Sequence, residues 1–277
     1  MIQRPEGVAL KLARADHHLR EIGDMVDAYL ASNPYMPESR IATEGNMRVN
    51  RTYLKLAHPI SNEVAVIVGD FFHNLRSSLD HLARGLVLTE GNRPRDEQPD
   101  PTSFPIRRGE RRGGLRISGG AHPDALALVE RMQPYHAGNR YKEHPLFLIN
   151  DLNNVDKHRS LHLVTAAVVG AEMSMAFKNS GEGIMSGPME PGPLYDGAHI
   201  GTFGLVTISS ETGEVVESSD PGPDVELLAH LNVCVTLGEV GMPPNEAMPV
   251  QDRLYELLRY VREDVVPLFD PFFSSAN

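Results

Sequence analysis

Between Asp70 and Arg84 the chain concentrates side chains that move protons or hold charge: Asp70, His73, Asn74, Arg76, Ser77, Ser78, Asp80, His81 and Arg84. An imidazole titrates near neutrality, a carboxylate can share a proton, and a guanidinium neutralises anionic charge, so this set suits acid–base chemistry or metal ligation. Projecting residues 70–87 at ~100° per residue gathers Phe71, Phe72, Leu75, Leu79, Leu82, Ala83 and Leu86 into one arc, which is core. His73, Ser77, Asp80 and Arg84 then form a ridge at three- and four-residue steps, with Asn74 and His81 alongside. Solvated faces favour Glu, Lys and Gln, so this mixture predicts a face packed against other polar groups.

A second polar stripe lies in residues 145–159. Asn150, Asp151, Asn154 and His158 fall on one side of a helix, and Leu148, Leu152 and Val155 on another. Asparagine competes with the helix backbone for hydrogen bonds, so three of them in this short segment need polar partners. If the two stripes meet, Asp80, Asn150, Asp151, Asn154 and His158 line a semi-buried polar cleft beside His73, Arg76 and His81, with shifted proton affinities. The only concentrated basic run, residues 107–116, offers Arg107, Arg108, Arg111 and Arg112 either as a solvated loop or as a phosphate-contacting one.

The elements that must position these residues follow from periodicity. Val8, Leu12, Ala15, Leu19, Ile22, Val26 and Tyr29 predict a long N-terminal helix over residues 6–30, ended at Asn33-Pro34. Alternation predicts a hairpin near 40–57, and a start signal at Pro59 opens the strongest helix, over 62–88. A Pro- and Gly-rich loop over 92–120 is anchored at Phe104-Pro105-Ile106, and shorter helices follow at 123–132 and 145–158. Strand-like texture covers 161–169, 173–177, 204–209 and 225–237, with exposed connections over 178–201. A last helix spans 250–266, its stripe made by Leu254, Leu257, Leu258, Val261 and Val265 and its end set by Pro267 and Pro271. The fold expected is α+β: a helical core with long N-terminal, central and C-terminal helices, and a mostly antiparallel sheet in the second half. One interleaved domain over 1–277 is expected, mainly helical over 1–160, β-rich over 161–247, with a helix and tail over 248–277.

Composition narrows the functional classes. The 277 residues are 41% hydrophobic, enough for a sizeable core, and a net charge of −11 with pI near 5.5 opposes broad attraction to polyanions while leaving room for a local basic patch. A single cysteine, Cys234, excludes an intramolecular disulfide or cysteine-cluster metal site and is expected to be a buried thiol. No apolar signal core opens the sequence and no run is long enough to cross a bilayer, so a cytoplasmic protein without a membrane partner is expected. The glycines lack the strand–turn–helix setting of a nucleotide site, and Ser77 and Ser78 lie in a helix rather than a nucleophile elbow.

The stretch His73-Asn74-Leu75-Arg76-Ser77-Ser78-Leu79-Asp80-His81-Leu82 resembles the Arg-x4-6-His signature of HEPN domains. It is also similar to a segment of uncharacterised bacterial proteins in which an equivalent of Leu152-Asn153-Asn154-Val155-Asp156-Lys157-His158-Arg159 follows. The resemblance implies a helical, usually dimeric, metal-independent endoribonuclease of toxin–antitoxin or phage-defence type. Arg76 would contact phosphate and His81 would transfer a proton, with groups from two protomers converging on RNA. Ser77 stands where catalytic members commonly carry Asn, Asp or His. Cleavage by the ribose 2′-hydroxyl needs a base, an acid and a cation, which His81, His73 and Arg76 can supply. Arg76 and His81 project ~140° apart on one helix, so a composite site across a homodimer or a long Arg reach is required.

Two other readings use the same residues. In the first, His73, Asp80, His81, Asp151 and His158 ligate a divalent transition metal between helices. The paired Glu-x-x-His motif of di-iron bundles is missing, and the ribonuclease reading needs no cofactor. In the second, the polar faces form the interface of a non-catalytic binding or antitoxin-like protein.

Overall fold

The computed structural model describes residues 2–44, 47–97, 101–110, 113–158, 163–177, 183–186, 196–205, 207–208, 215–216, 225–237 and 248–273. It is an α+β protein. Its contacts group into two compact units: residues 1–25, 62–162 and 251–277 form one, and residues 26–61 and 163–250 the other. The chain passes between them more than once.

The first unit is helical and centres on α2 (Asn62–Thr89). The arc of Phe71, Phe72, Leu75, Leu79, Leu82, Ala83 and Leu86 is fully buried, as its spacing predicts. Burial also reaches Val64, Val68, Val87, Asn74 and Ser78, so α2 is enclosed well beyond one stripe. Around it stand the first part of α1 (Glu6–Ala31), α3 (Pro123–Arg131), α4 (Pro145–His158) and α5 (Val250–Arg259). α1 ends where expected, with Asn33 in the left-handed region at φ 48 just before Pro34. α3 begins with Pro123 at its first turn, and the His122 ring accepts a hydrogen bond from the Asp124 N–H. Between α3 and α4 lies a pair of 3₁₀ segments over Pro134–Glu143, broken at Gly138.

The C-terminal helix buries Leu254, Leu257, Leu258, Val261 and Val265 as predicted, but it does not run uniformly to Val266. After Arg259 it widens into a π-turn over Tyr260–Val265, with the Val266 N–H donating to the Val261 carbonyl, then tightens into 3₁₀ geometry over Val266–Phe272. Pro267 explains the change: it supplies no N–H, and its ring crowds the carbonyl four residues earlier.

The second unit holds the sheets. The predicted hairpin exists with earlier bounds, as β1 (Tyr35–Glu44) and β2 (Met47–Leu56), paired antiparallel from Tyr35 opposite Leu56 to Glu44 opposite Met47. It does not stand apart from the later strands. β2 pairs with β5 (His199–Leu205), and β5 with β4 (Gly183–Ser186), giving a four-stranded antiparallel sheet ordered β1-β2-β5-β4. The two strand segments expected over 161–177 are one irregular strand, β3 (Leu163–Phe177), which pairs antiparallel with β8 (Val225–Leu237). Register shifts between Thr165 and Ala167 and between Val168 and Ala171 carry the strand through the gap between the two expected segments. A short pair, β6 (Thr207–Ile208) and β7 (Val215–Val216), completes the described strands. Cys234 is half-buried in β8 rather than fully enclosed.

The long loop after α2 is fastened by one residue that carries no sequence signature. Gln133 is buried; its amide donates to the carbonyls of Pro105 (2.9 Å) and Val129 (3.0 Å) and accepts from the Arg107 N–H (2.9 Å). Every polar group of this side chain that is removed leaves a backbone group without a partner in a dry setting. Gln133→Ala is expected to cost about 3 kcal/mol in urea unfolding, the sum of such orphaned groups, whereas Gln→Ala at an exposed site stays within about 0.5 kcal/mol.

Candidate functional site: the polar faces of α2 and α4

The two polar stripes do approach one another, through residues other than those the spacing favoured. α4 packs on α2, and the Asp156 carboxyl rests against Gly69. A methyl group at Gly69 would overlap that carboxyl, so the absent side chain admits it. Burial, and then the like charge of Asp70, push the Asp156 carboxyl above its ordinary value, while His73 opposes the shift. His73 and Asp70 are exposed, and the His73 Nε2 lies 3.4 Å from the Ser77 hydroxyl.

One turn along α2, Arg76 and Asp80 face inward. The Arg76 Nη2 donates to the Phe104 carbonyl at 2.7 Å and sits 3.0 Å from Asp80 Oδ1, which itself accepts the Phe104 N–H at 2.9 Å. An i,i+4 pair on a helix thereby grips both backbone polar groups of a loop residue whose ring is fully buried against Phe269. Only 13% of the Arg76 side chain is exposed, and its Nη1 is buried with no partner among the described residues. Burial lowers the proton affinity of Arg76, against the pull of Asp80; burial raises that of Asp80, against Arg76, the Phe104 N–H, Lys157 and His81. The guanidinium that the HEPN resemblance assigns to phosphate is thus committed to the protein's own carbonyl and carboxylate.

The remaining expected residues are dispersed. The half-buried His81 lays its ring over Gly7 of α1, where an added Cβ would come within 2.7 Å of Nδ1. Asn74 is buried, donating to the Asp70 carbonyl (2.7 Å) and accepting from Lys11 (3.2 Å), and Arg84 pairs with Asp96. On α4, Asp151 pairs with the exposed Arg108 at 2.6 Å, and that guanidinium lies 5.2 Å from the centre of the Phe147 ring. Asn150 is half-buried and Asn154 exposed; the fully buried asparagine is Asn153, which the stripe did not include. The His158 side chain, Arg111 and Arg112 lie outside the described residues.

Sequence reasoning therefore missed Asp156, Lys157 and Gln133. Gly69 inside an otherwise strong helix was the available signal for Asp156, since an internal glycine usually marks close packing. Among the described residues, no group of three or more His, Cys, Asp or Glu side chains lies close enough to hold a metal ion. Nor, among them, is any helix long and apolar enough to cross a membrane.

No family model, curated protein or solved structure matches this chain. Its chemistry must be argued from these groups alone. The arrangement offers an exposed imidazole on α2 and, within electrostatic range of it, an α4 carboxyl whose proton affinity burial raises, two groups suited to proton transfer.

Two measurements separate the supporting groups from the chemical ones. Arg76→Ala removes the cation from Asp80 and the donor from the Phe104 carbonyl and is expected to lose about 2–3 kcal/mol in urea unfolding, while His73→Ala at its exposed position stays within about 0.5 kcal/mol. Asp156 binds its proton more tightly folded than unfolded, so its contribution to stability is complete below its unfolded value, near 3.8, and is lost as pH rises through the raised folded value. The stability of Asp156→Asn relative to the parent should therefore improve from acidic to neutral pH and then level off.

Proposed function

We propose that this chain is a HEPN-like, metal-independent protein directed at RNA, either an endoribonuclease or an RNA-associated protein of defence or toxin type, acting in the cytoplasm as a homodimer. The observation that supports this reading is the exposed His73 of α2 within electrostatic range of the Asp156 carboxyl, which α4 rests against Gly69. In this reading His73 takes the proton of a ribose 2′-hydroxyl, and the Asp156 carboxyl, whose proton affinity burial raises, returns one to the leaving oxygen. The exposed Arg108, paired with Asp151 on α4, supplies the cation for a phosphate in this reading. His81, half-buried against α1, is a second proton carrier, and a homodimer brings a second set of these groups to one phosphate. Arg76 acts in this reading as the clamp that holds the Phe104 loop. Arg107 lies within the same basic loop, with its backbone fixed by Gln133.

A second reading has its own support. The commitment of Arg76 to Phe104 and Asp80 removes the motif's cation from the solvent, as suits a binding protein without turnover.

The test is incubation of the purified full chain with a single-stranded RNA oligonucleotide in excess chelator. Cleavage by the parent, reduced about 100-fold or more in His73→Ala and in Asp156→Asn with unchanged unfolding midpoints, is the expected result. RNA bound and not cut supports the binding protein. Cleavage that chelator abolishes and manganese or zinc restores moves the assignment to the metal-dependent alternative. RNA neither bound nor cut ends the proposal.

A further inference from the structure

A cleft of about 160 Å³ opens where the loop around Arg107 meets the end of α3 and the 3₁₀ turn after it, lined by Arg107, Glu110, Gly114, Leu115, Glu130 and Tyr135. Its walls are held from behind. Gln133 fixes the Arg107 backbone, the Tyr135 hydroxyl donates to the Glu130 carboxylate, and the His136 Nε2 lies 2.9 Å from the Glu130 carbonyl oxygen. Desolvation and the Glu130 carboxylate push the Tyr135 phenol up to about 12, so it remains a donor at neutral pH.

The charges in this cleft are of both signs. Among the described residues, Arg107 supplies a guanidinium whose Nε is buried without a partner, and Glu110 and Glu130 supply two carboxylates on the same small lining, the Glu130 carboxylate also accepting from Tyr135 and lying 3.6 Å from His136 Nε2. An orphaned buried donor is costly, and an acceptor that lets the guanidinium turn toward it recovers that cost. A plain anion would satisfy Arg107 while facing two carboxylates. A plain amine would satisfy the carboxylates while facing a guanidinium. A molecule with both charges a few bonds apart meets all three, and an ammonium has three donors to divide between acids.

We infer that the cleft binds a small zwitterion of the α-amino-acid type, its carboxylate on Arg107 and its ammonium between Glu110 and Glu130. This site uses neither His73 nor Asp156 and stands or falls apart from the RNA-directed reading. Leu115 borders the ligand's side-chain end and, with the cleft's size, restricts that group to a few heavy atoms.

Thermal unfolding of the full chain tests it, using L-alanine at millimolar concentration against its two halves, propionate and ethylamine, and against inorganic phosphate. L-alanine is expected to raise the midpoint by a few degrees in a saturable way, because a ligand that binds only the folded state stabilises it by mass action. The three single-charge compounds are expected to leave it unchanged. Arg107→Gln is expected to abolish the L-alanine shift while retaining the parent's circular dichroism. Should that variant fail to fold, Glu110→Gln, at an exposed position, reads the ammonium end in the same assay. An equal shift from propionate, ethylamine or phosphate, an L-alanine shift that survives the folded variant, or no shift at all overturns the inference.

Discussion

A helix enclosed on most of its circumference has little water for its inward polar side chains, and α2 is such a helix. Its burial forces each inward polar group to find a partner within the protein. Arg76 and Asp80 share the two backbone groups of Phe104, Asn74 joins the Asp70 carbonyl to Lys11, and the Ser78 hydroxyl donates to the Leu75 carbonyl. These pairings position the loop after α2 and part of α1. The first unit is therefore organised by polar satisfaction around α2 as much as by its apolar arc.

This constraint sorts the polar residues of α2 by role. Those facing inward are consumed by structure: a guanidinium that holds a carbonyl and a carboxylate in a low-dielectric setting is poorly placed to release them for a substrate. Those facing outward, Asp70 and His73, keep solvent access and act electrostatically on the carboxyl of Asp156, which rests on Gly69. In the proposed function, proton transfer falls to this outer group. The Arg-x4-His spacing on which the HEPN resemblance rests links one residue buried as a clamp to another half-buried against α1.

The loop after α2 illustrates how an acidic chain still presents basic groups in ordered positions. Phe104 and Gln133 fasten its backbone from two sides, one through the Arg76–Asp80 pair and one through an amide with all its described bonds made. Arg107 and Arg108, adjacent in sequence, consequently diverge. Arg108 reaches Asp151 and the Phe147 ring at the surface of α4, while Arg107 turns to a cleft shared with Glu110 and Glu130. A run read in sequence as one basic patch serves two surroundings.

The apolar periodicities of α1, α2 and α5, the end of α1 at Asn33-Pro34, and the α+β class were legible in the amino-acid sequence, because they depend on contacts within a few residues of each other. The hairpin was legible as well, though not its pairing with β5, since which strand completes an edge is decided by distant backbone. The candidate site was legible only as a concentration of polar types on two helices. Which of them meet was settled by tertiary structure, through Gly69 admitting Asp156 and through a buried Phe104 drawing Arg76 and Asp80 inward. Local spacing determines the face a side chain occupies on its own helix; only packing determines what that face is pressed against, and hence whether its charge supports the fold or remains free to react.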